Sequence, residues 1–477
     1  MKKHYETHVE DTDKLISVAG PVLDYKSWYE QYRKLMEEQA QRKYGLYTPT
    51  SEGDDDDFPS IPGMIARYSA LGLTNEQMSE NPVWKDLTGN GHDLQMKNFA
   101  WKEGSGISDV YPGFILGDGV DDFAVTEQQL NFEDTYTVYT AFIPFQDDPV
   151  RGMEICGKDF KKDLYIYYSG THLVYYTSGL NGFIPVHINQ LHIIVCKRDK
   201  TNAVIKNLIT GESKTFSVSE LIDNPGVYYL WKYQRSGTST AKTAIAGQTI
   251  CNGHYSTDEE DAKVLAWYKK EYPWLFPDQA WTVTGKTNED EDRATIANIT
   301  GNGNDLVLSN FGFAEGSGYN EEGEYAGYLV TDGVDDRVAS RSFTLNKDWT
   351  IVGNWKMLQP EANKSSGIVK QNSLFIYNHV DGLNISINDA WNFFKLKDIR
   401  SVNAICSDGR IYLNDWTEII DSKQQTVNES VGALVIGILG NVYTSLAFKN
   451  LGIYNNQILS KDDCIKAYNY LQTLKAK

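Results

Sequence analysis

Between Asp24 and Arg42, apolar side chains return at helical spacing, at Trp28, Tyr32, Leu35, Met36 and Ala40. That periodicity predicts one amphipathic helix. Ser27 and Glu30 stand at capping-box distance near its start, and Gly45 offers a stop. A helix this short is marginal alone in water, so its aromatic face needs something to pack on. Beyond it the pattern changes. Runs such as DLYIYYSG, HLVYYTSG, LHIIVCK and GVYYLWKY, then DWTIVGNWK, SLFIYN, LNISIND and GALVIGILG, are short and rich in β-branched and aromatic residues. Gly, Asn, Asp and Pro bound them. With no helices between strands, they predict antiparallel sandwiches rather than a parallel sheet. Two helical stretches close the two series. YSTDEEDAKVLAWYKKEY has Thr257 as cap and Glu260 at the box position; ILSKDDCIKAYNYLQTL has Ser460 and Asp463 in those roles.

The strand pattern also repeats. LGLTNE (71–76) returns as TGKTNE (284–289), TGNGHDL (88–94) as TGNGNDL (300–306), FAWKEGSG (99–106) as FGFAEGSG (311–318), and DGVDD (118–122) as DGVDD (332–336). Partners stay 212 to 214 residues apart, so the same turns and strands recur in the same order, as in a duplicated domain. The expected organisation is a helical anchor over 1–50, an acidic and proline-rich linker over 51–62, a first sandwich over 63–271, an aromatic linker over 272–281 and a second sandwich over 282–477. The Asp54–Asp57 run reads as a self-repelling, extended tether, with a calcium site as the sharper alternative. Trp274, Leu275, Phe276 and Trp281 are too apolar for a flexible tether, so the second linker is expected to be packed.

Composition narrows the function. A net charge of −19 disfavours a nucleic-acid backbone or an anionic membrane as partner. No apolar run reaches the ~18 residues of a membrane helix. The opening MKKHYETHVEDTDK has no apolar signal core, which predicts synthesis and folding in a cytoplasm. Cys156, Cys196, Cys251, Cys406 and Cys464 are odd in number and scattered, with no CxxC pair. Neither a zinc knuckle nor a disulfide framework is expected from them.

The order of these motifs resembles the laminin-G-like branch of the concanavalin A-like jelly rolls. TGNGHDL and DGVDDFAV carry the likeness in the first copy; TGNGNDL, DGVDDRVA and IYNNQILSKDD carry it in the second, over about 61–475. The first copy departs near its end, where NGHYSTDEED replaces the tyrosine-asparagine run. The fold class so implied is mainly β: two tandem antiparallel β-sandwiches behind an N-terminal helical arm, binding glycans or proteins through loops or a sheet face. A narrower resemblance is to virion proteins of crAss-like tailed phages. It implies a structural protein of the particle, released by lysis, acting in decoration or attachment. Its partners would be other virion proteins through the arm (Trp28, Tyr32, Leu35, Met36), host or mucosal glycans, and further copies of itself. The rival readings are a glycan-binding surface protein of a gut bacterium and a glycanase with an unrecognised site.

Candidate chemistry is sparse. Asp118, Asp121 and Asp122, with Asp332, Asp335 and Asp336, are repeated carboxylates that suit Ca²⁺, a cation seeking oxygen ligands. The competing reading is a fold-defining turn, because Asp-Gly steps form turns and Asp binds nearby amides. Asn90, His92 and Asp93, with Asn302, Asn304 and Asp305, pose the same choice, and the exchange of His92 for Asn304 disfavours imidazole chemistry there. Glycanases of this superfamily place acid and nucleophile on one strand about 5–5.5 Å apart. No predicted strand has that arrangement, and no GxSxG, HExxH or phosphate loop occurs, so the expectation is a non-enzyme with no required cofactor. Tyrosines number 30, and Tyr165, Tyr167 and Tyr175 on adjacent predicted strands are candidate sugar-stacking rings. Alternation puts Tyr165 and Tyr167 on one face and Tyr168 on the other.

Overall fold

The alternating runs of the chain pair into four eight-stranded antiparallel sheets. In a computed structural model, the described residues are 57–145, 153–157, 164–219, 226–231, 242–358, 366–371, 374–379, 382–387, 390–394, 402–420, 430–436, 438–439, 442–443 and 445–476. The chain divides into two units, 1–57 and 58–477, and the architecture below is that of the second. The expected N-terminal helix, with Trp28, Tyr32, Leu35 and Met36, lies outside the described residues.

Sheet A1 runs in the order β14 (Ser213–Ser217), β13 (Asn202–Asn207), β12 (His192–Arg198), β7 (Tyr136–Pro144), β16 (Thr243–Asn252), β5 (Ile115–Leu116), β4 (Gly106–Ile107), with β1 (Met64–Ser69) also pairing to β16. Sheet B1 runs β11 (Leu180–Pro185), β10 (His172–Thr177), β9 (Tyr165–Ser169), β8 (Met153–Gly157), β15 (Tyr229–Leu230), β6 (Phe123–Thr126), β3 (Leu94–Lys97), β2 (Val83–Trp84). The second half repeats this order strand for strand. Sheet A2 is β30 (Glu418–Ile420), β29 (Arg410–Leu413), β28 (Val402–Cys406), β23 (Trp349–Met357), β34 (Ser445–Asn455), β21 (Tyr328–Asp332), β20 (Gly318–Asn320), with β17 (Gln279–Thr282) on β34. Sheet B2 is β27 (Ala390–Phe394), β26 (Gly382–Ile387), β25 (Leu374–His379), β24 (Ser366–Gln371), β31 (Ser430–Ile436), β22 (Arg337–Leu345), β19 (Leu306–Ser309), β18 (Thr295–Ile296). A small hairpin of β32 (Ile438–Leu439) and β33 (Val442–Tyr443) completes the strands.

Each A sheet is buried on both faces. One face of A1, with Val138, Ile194, Cys196 and Ile250, meets Leu94, Ile166, Leu173 and Ile184 of B1 in one core. Trp281, Trp349, Trp355 and Phe448 lie in the matching core of the second half. The opposite face of A1, with Tyr139, Ile143, Ile193 and Val195, joins a second apolar layer, so β7 and β12 are buried along their whole length. That layer also holds Val352, Ala404 and Tyr454 of A2 and the buried stripes of α2 (Asp258–Glu271) and α3 (Lys461–Thr473). The caps form as the sequence spells them. Thr257 and Glu260 close a reciprocal capping box, and the Ser460 side chain accepts the Asp463 amide. A third helix, α1 (Asn75–Glu80), has its own box between Thr74 and Gln77 and occurs in the first copy alone; its counterpart, NEDEDR, forms turns.

The aromatic linker is part of this layer. Pro273–Leu275 makes a short 3-10 turn whose Trp274 and Leu275 are buried. Tyr454 donates to the Trp274 carbonyl at 2.8 Å, and Tyr272 donates to the Gly113 carbonyl at 3.1 Å. Tyr470 of α3 meets Tyr111 of the first half and Trp274 edge-on.

Candidate functional site

The repeated DGVDD turns show how a short acidic sequence organises itself. Asp118 Oδ1 accepts the amides of Val120 at 2.7 Å, Asp121 at 3.2 Å and Asp122 at 3.4 Å, and Asp122 Oδ2 accepts the Asp118 amide at 2.9 Å. The second copy repeats all four contacts, with Val334, Asp335 and Asp336 donating to Asp332 Oδ1 and Asp332 to Asp336 Oδ2. Each turn is then sewn to the preceding loop: Asn98 Nδ2 donates to the Asp121 carbonyl and Asn310 Nδ2 to that of Asp335, both at 3.0 Å. Burial pushes the Asp122 and Asp336 carboxyls up to about 6, with the neighbouring aspartates adding to it.

Three carboxylate oxygens of each triad lie within 4.8 Å of one another, close enough to hold one cation. The second triad fits Ca²⁺ poorly, while in the first Asp122 Oδ1 is buried with no hydrogen-bond partner. The ion takes six to eight oxygens, whereas Asp118 Oδ1 already serves three amides. Asp336 spends one oxygen on the Asp332 amide and the other on the Ser317 hydroxyl at 3.0 Å. The exposed tips are apolar, with Val120 at 69% and Val334 at 71% exposure.

The GNG loops also work through backbone. His92 and Asn304 each offer a carbonyl, to the Tyr68 hydroxyl and the Trp281 indole respectively. Asp93 and Asp305 accept the amides of Asp86 and Asn298 at 2.9 and 2.8 Å. Asn90 and Asn302 donate to the carbonyls of Ile65 and Asp278. This explains why an imidazole and an amide interchange at positions 92 and 304.

The outward face of sheet B1 carries the aromatic rings. Register sets which ones. Tyr165 pairs with Tyr176, and Tyr167 with Val174, which in turn pairs with Phe183. Tyr229 pairs with Gly157, itself opposite Tyr165. Leu173, Tyr175 and Ile184 take the other parity and enter the core. Tyr175 is therefore a correction to the sequence reading: it is fully buried, donates to the Tyr136 hydroxyl at 2.7 Å and has no ring face to offer. Tyr165 faces outward but is 8% exposed, its ring lying against Gly157 and 5.1 Å from Tyr167. Tyr167 keeps a half-buried ring. The residues that sequence reasoning missed on this face are Tyr176, Tyr229, His172 and Phe183, the last 51% exposed and edge-on to His172 at 4.8 Å. The signal was the YY dipeptide itself. Two adjacent tyrosines cannot share a face, and pairing with β9 selects the second.

No family model and no curated protein matches the chain. Among solved structures, it is similar to a Trypanosoma rangeli sialidase in complex with sialic acid, at 11% identity and a TM-score of 0.33, over 52% of this chain and 40% of the sialidase. The chain thus spans well under half of that enzyme. It is also similar to domain 4 of AbnA, an extracellular arabinanase from Geobacillus stearothermophilus in complex with arabinotriose, at 14% identity and a TM-score of 0.30, over 43% of this chain and all of that domain. A third similarity is to the binding domain of botulinum neurotoxin serotype D/C, at 10% identity and a TM-score of 0.37, over 81% of this chain and 99% of that one.

Proposed function

We propose that this protein is a non-catalytic carbohydrate-binding protein built from two tandem concanavalin A-like sandwiches. One observation carries the reading: Tyr167, Tyr176, Tyr229 and Phe183 share the outward face of sheet B1, where flat rings can stack on the apolar faces of sugars. The setting we propose is a phage particle, on the resemblance of paired sandwiches behind residues 1–50, read as an anchoring arm, to virion proteins of crAss-like tailed phages. There residues 1–50 would dock to other virion proteins while the sandwiches meet host or mucosal glycans. The non-catalytic part of the reading is supported by Asp118, Asp122, Asp332 and Asp336, whose carboxylates each accept a turn amide rather than standing as an acid pair.

The test is a glycan array with the full chain, followed by titration of the best ligand. Phe183→Ala is expected to weaken binding about tenfold, or about 1.4 kcal/mol, and Tyr175→Phe to leave it unchanged. Equal binding by Phe183→Ala and wild type would remove sheet B1 as the recognition face. Release of reducing ends, lost on replacing one named carboxylate, would overturn the non-catalytic reading.

A further inference from the structure

Duplication gives every position in one sandwich a counterpart in the other, and one pair of counterparts has changed its chemistry completely. In the first sandwich Lys197 of β12 pairs in register with Thr137 of β7. In the second, Cys406 of β28 pairs with Thr350 of β23. Both threonines hold the approach to the closing helix. Thr137 Oγ1 donates to the His254 carbonyl at 2.9 Å and accepts the Ser256 amide at 3.0 Å. Thr350 Oγ1 donates to the Gln457 carbonyl at 3.1 Å and accepts the Leu459 amide at 2.9 Å. The next residue is the N-cap, Thr257 or Ser460, and four positions further stand Asp261 and Cys464. Lys197 and Cys406 are thus equivalent, as are Asp261 and Cys464.

The contacts are equivalent too. Lys197 Nζ lies 2.8 Å from the Ser256 carbonyl and 2.7 Å from Asp261 Oδ2. Cys406 Sγ lies 4.0 Å from the Leu459 carbonyl, and the Cys464 thiol is its neighbour in the same buried apolar layer. In the first copy Tyr139 and Ser256 donate to Asp261 Oδ1 at 2.9 and 3.0 Å. Their counterparts are Val352 and Leu459, which donate no side-chain hydrogen bond. The ion pair and the hydroxyls that hold it have been exchanged together for an apolar setting. Two unjoined thiols would leave this junction with little more than two small hydrophobes.

We propose that Cys406 and Cys464 form a disulfide, covalently joining β28 to the first turn of α3 where the first sandwich uses the Lys197–Asp261 ion pair. Both cysteines are fully buried, so the finished bond sits in an apolar layer out of reach of external thiols. The chemistry is exchange with a small-molecule disulfide of the glutathione class while the chain folds, before the closing helix buries either sulfur. The Cys406 thiolate attacks one sulfur and releases the first thiol. Cys464 then gives up its proton and displaces the second thiol from the mixed disulfide, so two thiols are oxidised for one disulfide reduced.

The full chain is produced in two hosts, one with a reducing cytoplasm and one whose cytoplasm permits disulfides, and alkylated under denaturing conditions. Protein from the second host is expected to leave two of its five cysteines unlabelled. Its non-reduced peptide map should join the peptides of Cys406 and Cys464, and it should melt above the reduced form. Cys464→Ser should return labelling to every remaining cysteine. Five labelled cysteines from both hosts, a different joined pair, or a stable glutathione adduct on Cys406 would each overturn the proposal.

Discussion

The two sandwiches agree on what each backbone group must touch and disagree on which side chain does the touching. In the first, the Asp86 carboxylate accepts the amides of Arg67 and Thr88; in the second, the Asn298 amide oxygen accepts those of Ala280 and Thr300 at the same distances within 0.1 Å. A phenol hydroxyl from Tyr68 reaches the loop carbonyl in one copy and an indole from Trp281 in the other. At the strand-to-helix junction the divergence goes furthest, from a hydrogen-bonded ion pair to a pair of thiols. The lesson is that a duplicated fold keeps its backbone donors and acceptors paired at matching positions, since a buried unpaired group costs about 1–3 kcal/mol, and leaves the partnering side chains free to change.

Breaking the junction should separate the copies most. Asp261→Ala strands the Lys197 ammonium in the apolar layer and is expected to cost about 3–5 kcal/mol. Cys464→Ala, measured under reducing conditions, removes one small apolar group and should cost well under half of that. Denaturant titration of both variants decides it; equal losses would mean that the ion pair acts as packing alone.

The turns should behave alike. Asp118→Ala and Asp332→Ala are each expected to lose about 1–3 kcal/mol, with melting unchanged by EDTA in wild type and variants. A fall in wild-type melting on chelation, restored by Ca²⁺, would instead make the triads cation sites. Asp122 sharpens the point through pH. Its folded carboxyl titrates at about 6 against 3.8 in the unfolded chain, so the folded state holds more protons between those values. Its contribution is full below the lower value and is lost as pH rises through about 6. Asp122→Asn should therefore gain on wild type as melting is followed from about pH 4 to about pH 7, and a constant difference would rule out this burial effect. The smallest expected effect is His92→Asn, within about 0.5 kcal/mol of wild type, because that position is held through its backbone, the carbonyl accepting from Tyr68 and the amide donating to Asp86.

Much of the fold was legible in the sequence because the signals were local. Short β-branched and aromatic runs between turn residues gave the strands, Thr257 with Glu260 and Ser460 with Asp463 marked helix starts, and the twofold return of GNG and DGVDD gave matching halves. The site was less legible because it depends on pairing between segments. Tyr175 and Tyr176 differ by one position, yet one is core and the other surface, and only the register with β9 distinguishes them. Cys406 and Cys464 look scattered until the closing helix packs against β23 and β34 of sheet A2, the sheet that carries Cys406. Asp118 could not be assigned from composition either, since a carboxylate serving three amides and one awaiting a cation are spelled identically.

The apolar layer shared by both A sheets has a consequence for the protein's history. Tyr470 of the second half rests on Tyr111 of the first, and Tyr454 holds the carbonyl of Trp274 between them. Deleting either half would leave large aromatic residues facing water, the kind of surface that drives self-association. A molecule that arose by copying one gene segment has thereby lost the option of returning to a single copy. Shuffling one sandwich into another protein would require rewriting its outer sheet face first.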